Sequence, residues 1–193
     1  MHRLSSSFIL GYHGCDRSVA EQLIQGEQFR KSYNDYDWLG PGVYFWEANP
    51  QRALAFAQKA SGRNGSKIRN PAVVGAVLDL GLCLDLTTTS SLDMLRIGYA
   101  HVKLRSEAEE NPLPTNSADL LRRNLDCAVI RRLHTILEEG QSEPIDSVKG
   151  VFTEGDPVYP GAGFLEETHI QIAICNLRCI KGVFWPDPES LNS

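Results

Sequence analysis

Leu39-Gly40-Pro41-Gly42-Val43-Tyr44-Phe45-Trp46 is the stretch from which the rest of the chain is best read. Glycines on both sides of a proline make a rigid turn, and the β-branched and aromatic residues that leave it read as a strand over Val43 to Trp46. Tyr44 on that strand has two readings from the residues alone: a ring free to stack on an aromatic ligand, or a core tyrosine. Asn49-Pro50 then opens a helix with proline at its first position, placing Ala53, Phe56, Ala57 and Ala60 on one face. Lys59 to Asn70 is rich in Gly, Ser and basic residues and reads as an exposed loop. With Lys59, Arg63, Lys67 and Arg69 and no acid, it is either a phosphate-contacting loop or a solvated one. Immediately before the turn, Tyr33, Tyr36 and Trp38 cluster in SYNDYDWLG, either lining a ligand pocket or pinning the loop by packing.

Further upstream, Phe8 to Tyr12 reads as a buried strand. It ends in Gly11-Tyr12-His13-Gly14-Cys15, where a His at a strand end is either structural or a partner for a ligand hydroxyl. Asp16 is expected to cap a helix over residues 18–25, with Ser18 and Glu21 at capping-box spacing and Gly26 as its stop. Downstream, a strand is expected from Val73 to Leu80, a short helix from Ser91 to Ile97 and a solvated connection from Ser106 to Thr115. Ser117 is expected to cap a long helix in which Leu121, Leu125, Val129, Leu133 and Leu137 repeat every four residues before Gly140. On that helix, Asp126 is expected to pair with Arg122. Three more strands are expected over Val148–Thr153, His169–Cys175 and Ile180–Trp185. The period of two in the second puts its three isoleucines on one face and His169, Gln171 and Ala173 on the other, where polar residues usually meet solvent. The pattern predicts an α+β fold in a single domain over residues 1–193.

Composition bounds the class. The chain has 193 residues, 42% hydrophobic and 22% charged, which excludes collagen-like, coiled-coil and fully disordered chains. Its formal net charge of −5 argues against a general nucleic-acid or anionic-membrane binder, while leaving room for a local basic surface. The apolar run Ala72–Leu78 stops at Asp79, far short of the ~20 residues of a membrane span. Phe8-Ile9-Leu10 is too short for a signal-peptide core, so no membrane partner and a cytoplasmic location are expected. Five cysteines are spread without disulfide spacing, and Cys175 and Cys179 lack a nearby third ligand, so buried thiols and no metal are expected.

Taken in order, the His13-Gly14 pair, the helix end Leu23-Ile24-Gln25-Gly26 and Gly40-Pro41-Gly42-Val43-Tyr44-Phe45 resemble the ADP-ribosyltransferases of the diphtheria-toxin and poly(ADP-ribose) polymerase class. That class reads His-Gly, Ile-Leu-x-x-Gly, then Gly-x-Gly-[Ile/Val]-Tyr-Phe. The late stretch from Val151 to Phe184 is similar to a bacterial and phage group of the same superfamily. Residues 81–147 match that narrower group alone.

The resemblance implies two small, mostly antiparallel sheets with a NAD cleft between them. It also implies NAD as co-substrate, with no metal. Carried over by position, His13 would bond the adenosine ribose, the Gly14 backbone would clamp the nicotinamide amide, and Tyr44 would stack on the nicotinamide ring. The helix from Asn49 to Ala57, with Phe56, would line the nicotinamide pocket. The class usually places a Glu on the late strand, and none stands there in this chain. Gln171 can hold a ribose hydroxyl without acting as a base. Glu154 is the alternative carboxylate, with Glu166 and Glu167 nearby. The implied activity is mono-ADP-ribosylation of a macromolecular acceptor, protein or RNA/DNA, by a bacterial or phage toxin. An antitoxin or inhibitor protein would be its regulatory partner. The alternatives are a NAD glycohydrolase and a non-catalytic NAD or ADP-ribose binding module.

Overall fold

A computed structural model describes residues 8–118 and 122–191 of the chain. It is α+β: seven strands, β1 (Ile9–Asp16), β2 (Val43–Glu47), β3 (Pro71–Leu78), β4 (Cys83–Asp85), β5 (Ser147–Phe152), β6 (His169–Ile174) and β7 (Ile180–Phe184), with four helices, α1 (Arg17–Ile24), α2 (Pro50–Ser61), α3 (Thr89–Ala108) and α4 (Asn124–Glu139). The strands form one sheet in the order β4-β5-β6-β2-β1-β3-β7. Every neighbouring pair is antiparallel except β4 with β5.

The expected pair of separate sheets is therefore corrected to one sheet, and the register shows why. All eight residues of β1 pair with β3, but only Gly11 and Tyr12 pair with β2, opposite Glu47 and Trp46. Two residue pairs keep the halves in one hydrogen-bonded sheet, and beyond Tyr12 the strands part. The gap begins where His13-Gly14 leaves β2.

Alternation along the strands sorts the core into layers. Val43, Phe45, Val74, Ala76, Leu78, Ile172 and Ile174 pack on one face with Ala20 and Leu23 of α1. Ala173 packs on the other face with Ile130 and Leu133 of α4, and Trp46 and Val73 pack there with Ala53 of α2. Both faces of β6 are thus covered, so His169 and Gln171 are buried rather than wet as their alternation had led us to expect.

α2 starts as expected, with the Asn49 side chain accepting from the Arg52 backbone N–H and proline at the helix start. Its Ala53, Ala57 and Ala60 are fully or almost fully buried. The helix lies so close to β1 that a Cβ on Gly14 would collide with the Ala53 carbonyl oxygen. Gly40 supplies the turn's left-handed residue at φ +74°.

Other boundaries differ from expectation. Asp16 caps α1 by accepting from Ser18 N, but Glu21 bonds Arg17 at 3.0 Å instead of closing a capping box. The short helix expected at 91–97 is the 20-residue α3, which absorbs part of the expected connection. Its buried residues are Ser91 and Gly98, so no apolar stripe announces it. α4 begins at Asn124, while Ser117 Oγ accepts from the Arg122 backbone N–H in the preceding turn; Leu121 lies outside the described residues. Asp126 pairs with Arg123, at 3.7 Å, and not with Arg122. Among the described residues no helix is long and apolar enough to cross a membrane.

The Gly14–α2 contact yields a test. Gly14→Ala should cost about 1–3 kcal/mol of unfolding free energy through overpacking, read as a lower urea midpoint at unchanged slope.

Candidate functional site

Where β1 and β2 part, a cavity of about 370 Å3 opens, lined by His13, Gly14, Tyr44, Trp46, Arg52, Phe56, Glu154 and Gln171 among others. Successive residues of one strand point to opposite faces, so an intact sheet could not offer both His13 and Gly14 to one space. The gap between strands allows it. The structure thus brings all six sequence-predicted site residues, His13, Gly14, Tyr44, Phe56, Glu154 and Gln171, to a single cavity.

His13 spans the gap. Its Nδ1 lies 2.8 Å from the Tyr44 carbonyl oxygen, and because a carbonyl only accepts, Nδ1 carries the proton. The ring sits edge-on to Phe29, centroids 5.5 Å apart, and burial pushes its pKa below the ordinary value. A neutral ring that donates from Nδ1 leaves Nε2 as an acceptor.

Tyr44 is held by its own turn. Its hydroxyl donates to the Gly40 carbonyl at 2.8 Å and accepts from the Leu39 N–H at 2.9 Å. Burial, together with the nearby Asp37 charge, drives its pKa upward, so the phenol takes no part in proton transfer. What Tyr44 offers the cavity is a fixed, half-buried ring.

Gln171 is 9% exposed, with its backbone paired to Trp46 on β2 and Gly150 on β5. Its side-chain amide makes no hydrogen bond among the described residues. The amide faces the cavity with its hydrogen-bonding groups open to whatever occupies it.

Glu154 stands in the turn after β5, its Oε2 at 2.8 Å from Arg52 Nη2. The same nitrogen lies 2.7 Å from Glu167 Oε2. Two carboxylates from the β5–β6 loop are therefore held by one guanidinium of α2. Arg52 was not singled out by the sequence reading. Its position four residues before Phe56, on the same side of α2, is the signal that would have found it. Beside this cluster, His169 stacks on Phe152 with centroids 5.7 Å apart, and its Nδ1 bonds the Glu167 carbonyl at 2.6 Å. His169 Nε2, Trp46 Nε1 and Arg52 Nε are buried polar atoms with no hydrogen-bond partner among the described residues.

Cations frame the mouth. Arg30, Lys59 and Arg63 line the cavity, are exposed, and make no ion pair among the described residues. A second cavity of about 490 Å3, between α3, α4 and β5, is lined mainly by apolar side chains and shares Trp38 with the first.

The five cysteines are free. Burial pushes the thiols of Cys15 and Cys179 up to about 11 and that of Cys175 up to about 12. Cys175 lies 3.9 Å from His134 Nε2, yet a thiol so hard to ionise is no nucleophile at neutral pH. Among the described residues no three His, Cys, Asp or Glu side chains group as metal ligands.

No family model and no solved structure matches the chain. The chain is 27% identical over 200 residues to a protein of the archaeon Methanocaldococcus jannaschii, covering 92% of this chain and 87% of that relative. That relative's name, uncharacterized protein MJ0359, states no activity.

Burial lowers the pKa of His13, His134 and His169 from an ordinary 6.5. The unfolded chain then takes up protons near pH 6.5 that the folded chain refuses. Stability should therefore fall as pH drops from 6.5 toward about 5, above the range where most carboxylates titrate. Urea unfolding across that interval checks it, and His169→Asn should flatten the slope.

Proposed function

We propose that the chain is a NAD-dependent mono-ADP-ribosyltransferase acting on a macromolecular acceptor. The observation that carries the reading is the convergence of the His13–Tyr44 hydrogen bond and the unpartnered Gln171 amide on one cavity at the strand gap. Those are three of the five positions read from the sequence as donor-binding, and the other two, Gly14 and Phe56, line the same cavity.

NAD would supply the ADP-ribosyl group and nicotinamide as the leaving group. The Tyr44 ring, fixed by Leu39 and Gly40, offers a flat surface to the nicotinamide. His13 Nε2 is an acceptor for a ribose hydroxyl. The Gly14 backbone, no longer paired with β2, is available to an amide. Gln171 can grip a second ribose hydroxyl with no exchange of protons. Arg30, Lys59 and Arg63 fit the negative charge of a pyrophosphate. The Glu154 carboxylate, held in the cavity lining by Arg52, is our candidate to stabilise positive charge developing on the ribose and to take the acceptor proton. This division of labour favours the transition state by positioning and charge, with no enzyme nucleophile. A role as a toxin with an antitoxin partner rests on the resemblance alone.

Nicotinamide release by purified variants tests the assignment. Tyr44→Ala and His13→Ala should abolish turnover while the protein stays folded. Gln171→Ala should lower kcat/KM at least about tenfold, on the order of one ligand hydrogen bond. Glu154→Gln should remove transfer to the acceptor more than it removes NAD binding. Wild-type turnover in both Tyr44→Ala and His13→Ala would place the cleft elsewhere, and free ADP-ribose as the sole product would identify a glycohydrolase.

A further inference from the structure

One wall of the cavity mouth is built from the loop between α1 and β2, and that loop displays aromatic rings on a fixed frame. Tyr33 is 65% exposed and Tyr36 is 40% exposed, and Tyr36 also lines the cavity. Arg131 of α4 pins the backbone beneath them, donating to the Tyr33 carbonyl at 2.6 Å and the Asn34 carbonyl at 3.2 Å. Ser32 is bridged to Gly42 at the base of β2. The Arg122 guanidinium lies over the Tyr36 ring, 5.5 Å from its centroid. Of the loop's three acids, Asp35 bonds Arg131 and Asp37 bonds Asn34, while Glu27, close to the end of α1, is not among the residues that line the cavity. What this wall brings to the mouth is aromatic surface, with Arg30 and Arg122 as its cations and Asp37 as its one lining acid.

The opposite wall continues the charge. Beyond Arg63 the loop after α2 carries Lys67 and Arg69, both exposed and without an ion pair among the described residues. A pyrophosphate in the cavity needs Arg30, Lys59 and Arg63 at most. In a chain of net charge −5, Lys67 and Arg69 extend the positive charge of Arg63 along the same loop. Rings on a rigid loop beside a cationic track are the two elements that bind single-stranded nucleic acid: bases stack while phosphates follow the charge. A basic peptide would be repelled by this rim, and a duplex would keep its bases out of reach of Tyr36.

We infer that the acceptor is a single-stranded nucleic acid whose base stacks on Tyr36 at the cavity mouth and whose phosphates run along Lys67 and Arg69. The inference rests on the NAD reading of the cavity. In the transfer, a heteroatom of the stacked base donates an electron pair to C1′ of the nicotinamide ribose. The C1′–N bond to nicotinamide breaks and its pair leaves on nicotinamide, which departs neutral. The proton lost by the base heteroatom passes to the Glu154 carboxylate and then to solvent.

The test measures fluorescence anisotropy of a labelled single-stranded oligonucleotide, as DNA and as RNA, with the wild-type protein and no NAD. Nicotinamide release from NAD is followed separately. Binding of either strand, weakening steeply with salt and exceeding that of the matching duplex, is the expected result. Tyr36→Ala should weaken it about tenfold, as for loss of one stacked base. The double variant Lys67→Glu with Arg69→Glu should flatten the log–log salt slope by about 1.4, for two phosphate contacts on a single strand. Both sites are exposed, so circular dichroism of the variants should match the wild type.

Nicotinamide release with no oligonucleotide binding would overturn this inference and leave the NAD reading standing. Unchanged affinity in both variants, or a duplex that binds as well as the strand, would overturn it too. Labelled NAD incubated with lysate should mark material destroyed by nuclease; label removed by protease alone would identify a protein acceptor and overturn the inference.

Discussion

Two residue pairs, Gly11 with Glu47 and Tyr12 with Trp46, hold the halves of the sheet together, and one step further on His13 turns its ring across the gap to the Tyr44 carbonyl. The backbone of β1 has by then stopped pairing with β2, so a side chain takes over the contact that a ladder hydrogen bond would have made. Strands this long in mid-sheet normally stay paired, because an unpaired buried N–H or C=O is costly. The imidazole satisfies one such carbonyl and props the strands apart. Both the floor of the cavity and the tautomer of its His follow from that single bond.

The helix beside the gap converts this opening into a site. α2 can approach β1 only because Gly14 has no side chain, and its alanines carry the contact on one side. The adjoining side of the same helix is left to Arg52, Phe56 and Lys59, which face the cavity. Arg52 in turn reaches two carboxylates of the β5–β6 loop, so the loop that closes the cavity is tied to the helix that walls it. With side-chain exposures of 16% for Arg52 and 21% for Glu154, that pair is shielded enough to matter more than the exposed pairs along α3.

Much of this was legible in the residues. The Asn-Pro start of α2, the strand after Gly40-Pro41-Gly42 and the alternation of β6 each follow from a local rule, and the structure places them within a residue or two. The cavity residues were legible as an ordered set, since His13, Tyr44 and Gln171 sit at strand positions that converge. Three things were hidden for physical reasons. α3 buries Ser91 and Gly98 and exposes Ile97 and Leu104, so its sequence carries little helical periodicity. The Arg52–Glu167 contact joins residues 115 apart, a pairing no local spacing reveals. The sheet count depended on two ladder pairs, and a pattern of alternation is blind to how far neighbouring strands stay together.

The burial of the thiols has a practical side. With pKa values of about 11 to 12 at Cys15, Cys175 and Cys179, on the order of one thiol in ten thousand or fewer is ionised at neutral pH, and only the thiolate reacts. Cys83 and Cys127 are shifted in the same direction by the same desolvation. Cys15, Cys175 and Cys179 are therefore a quiet background for maleimide chemistry. A cysteine introduced on an exposed residue of the rim would be the fast-reacting one, and a dye attached there would report on occupancy of the cleft in real time without first removing those three cysteines.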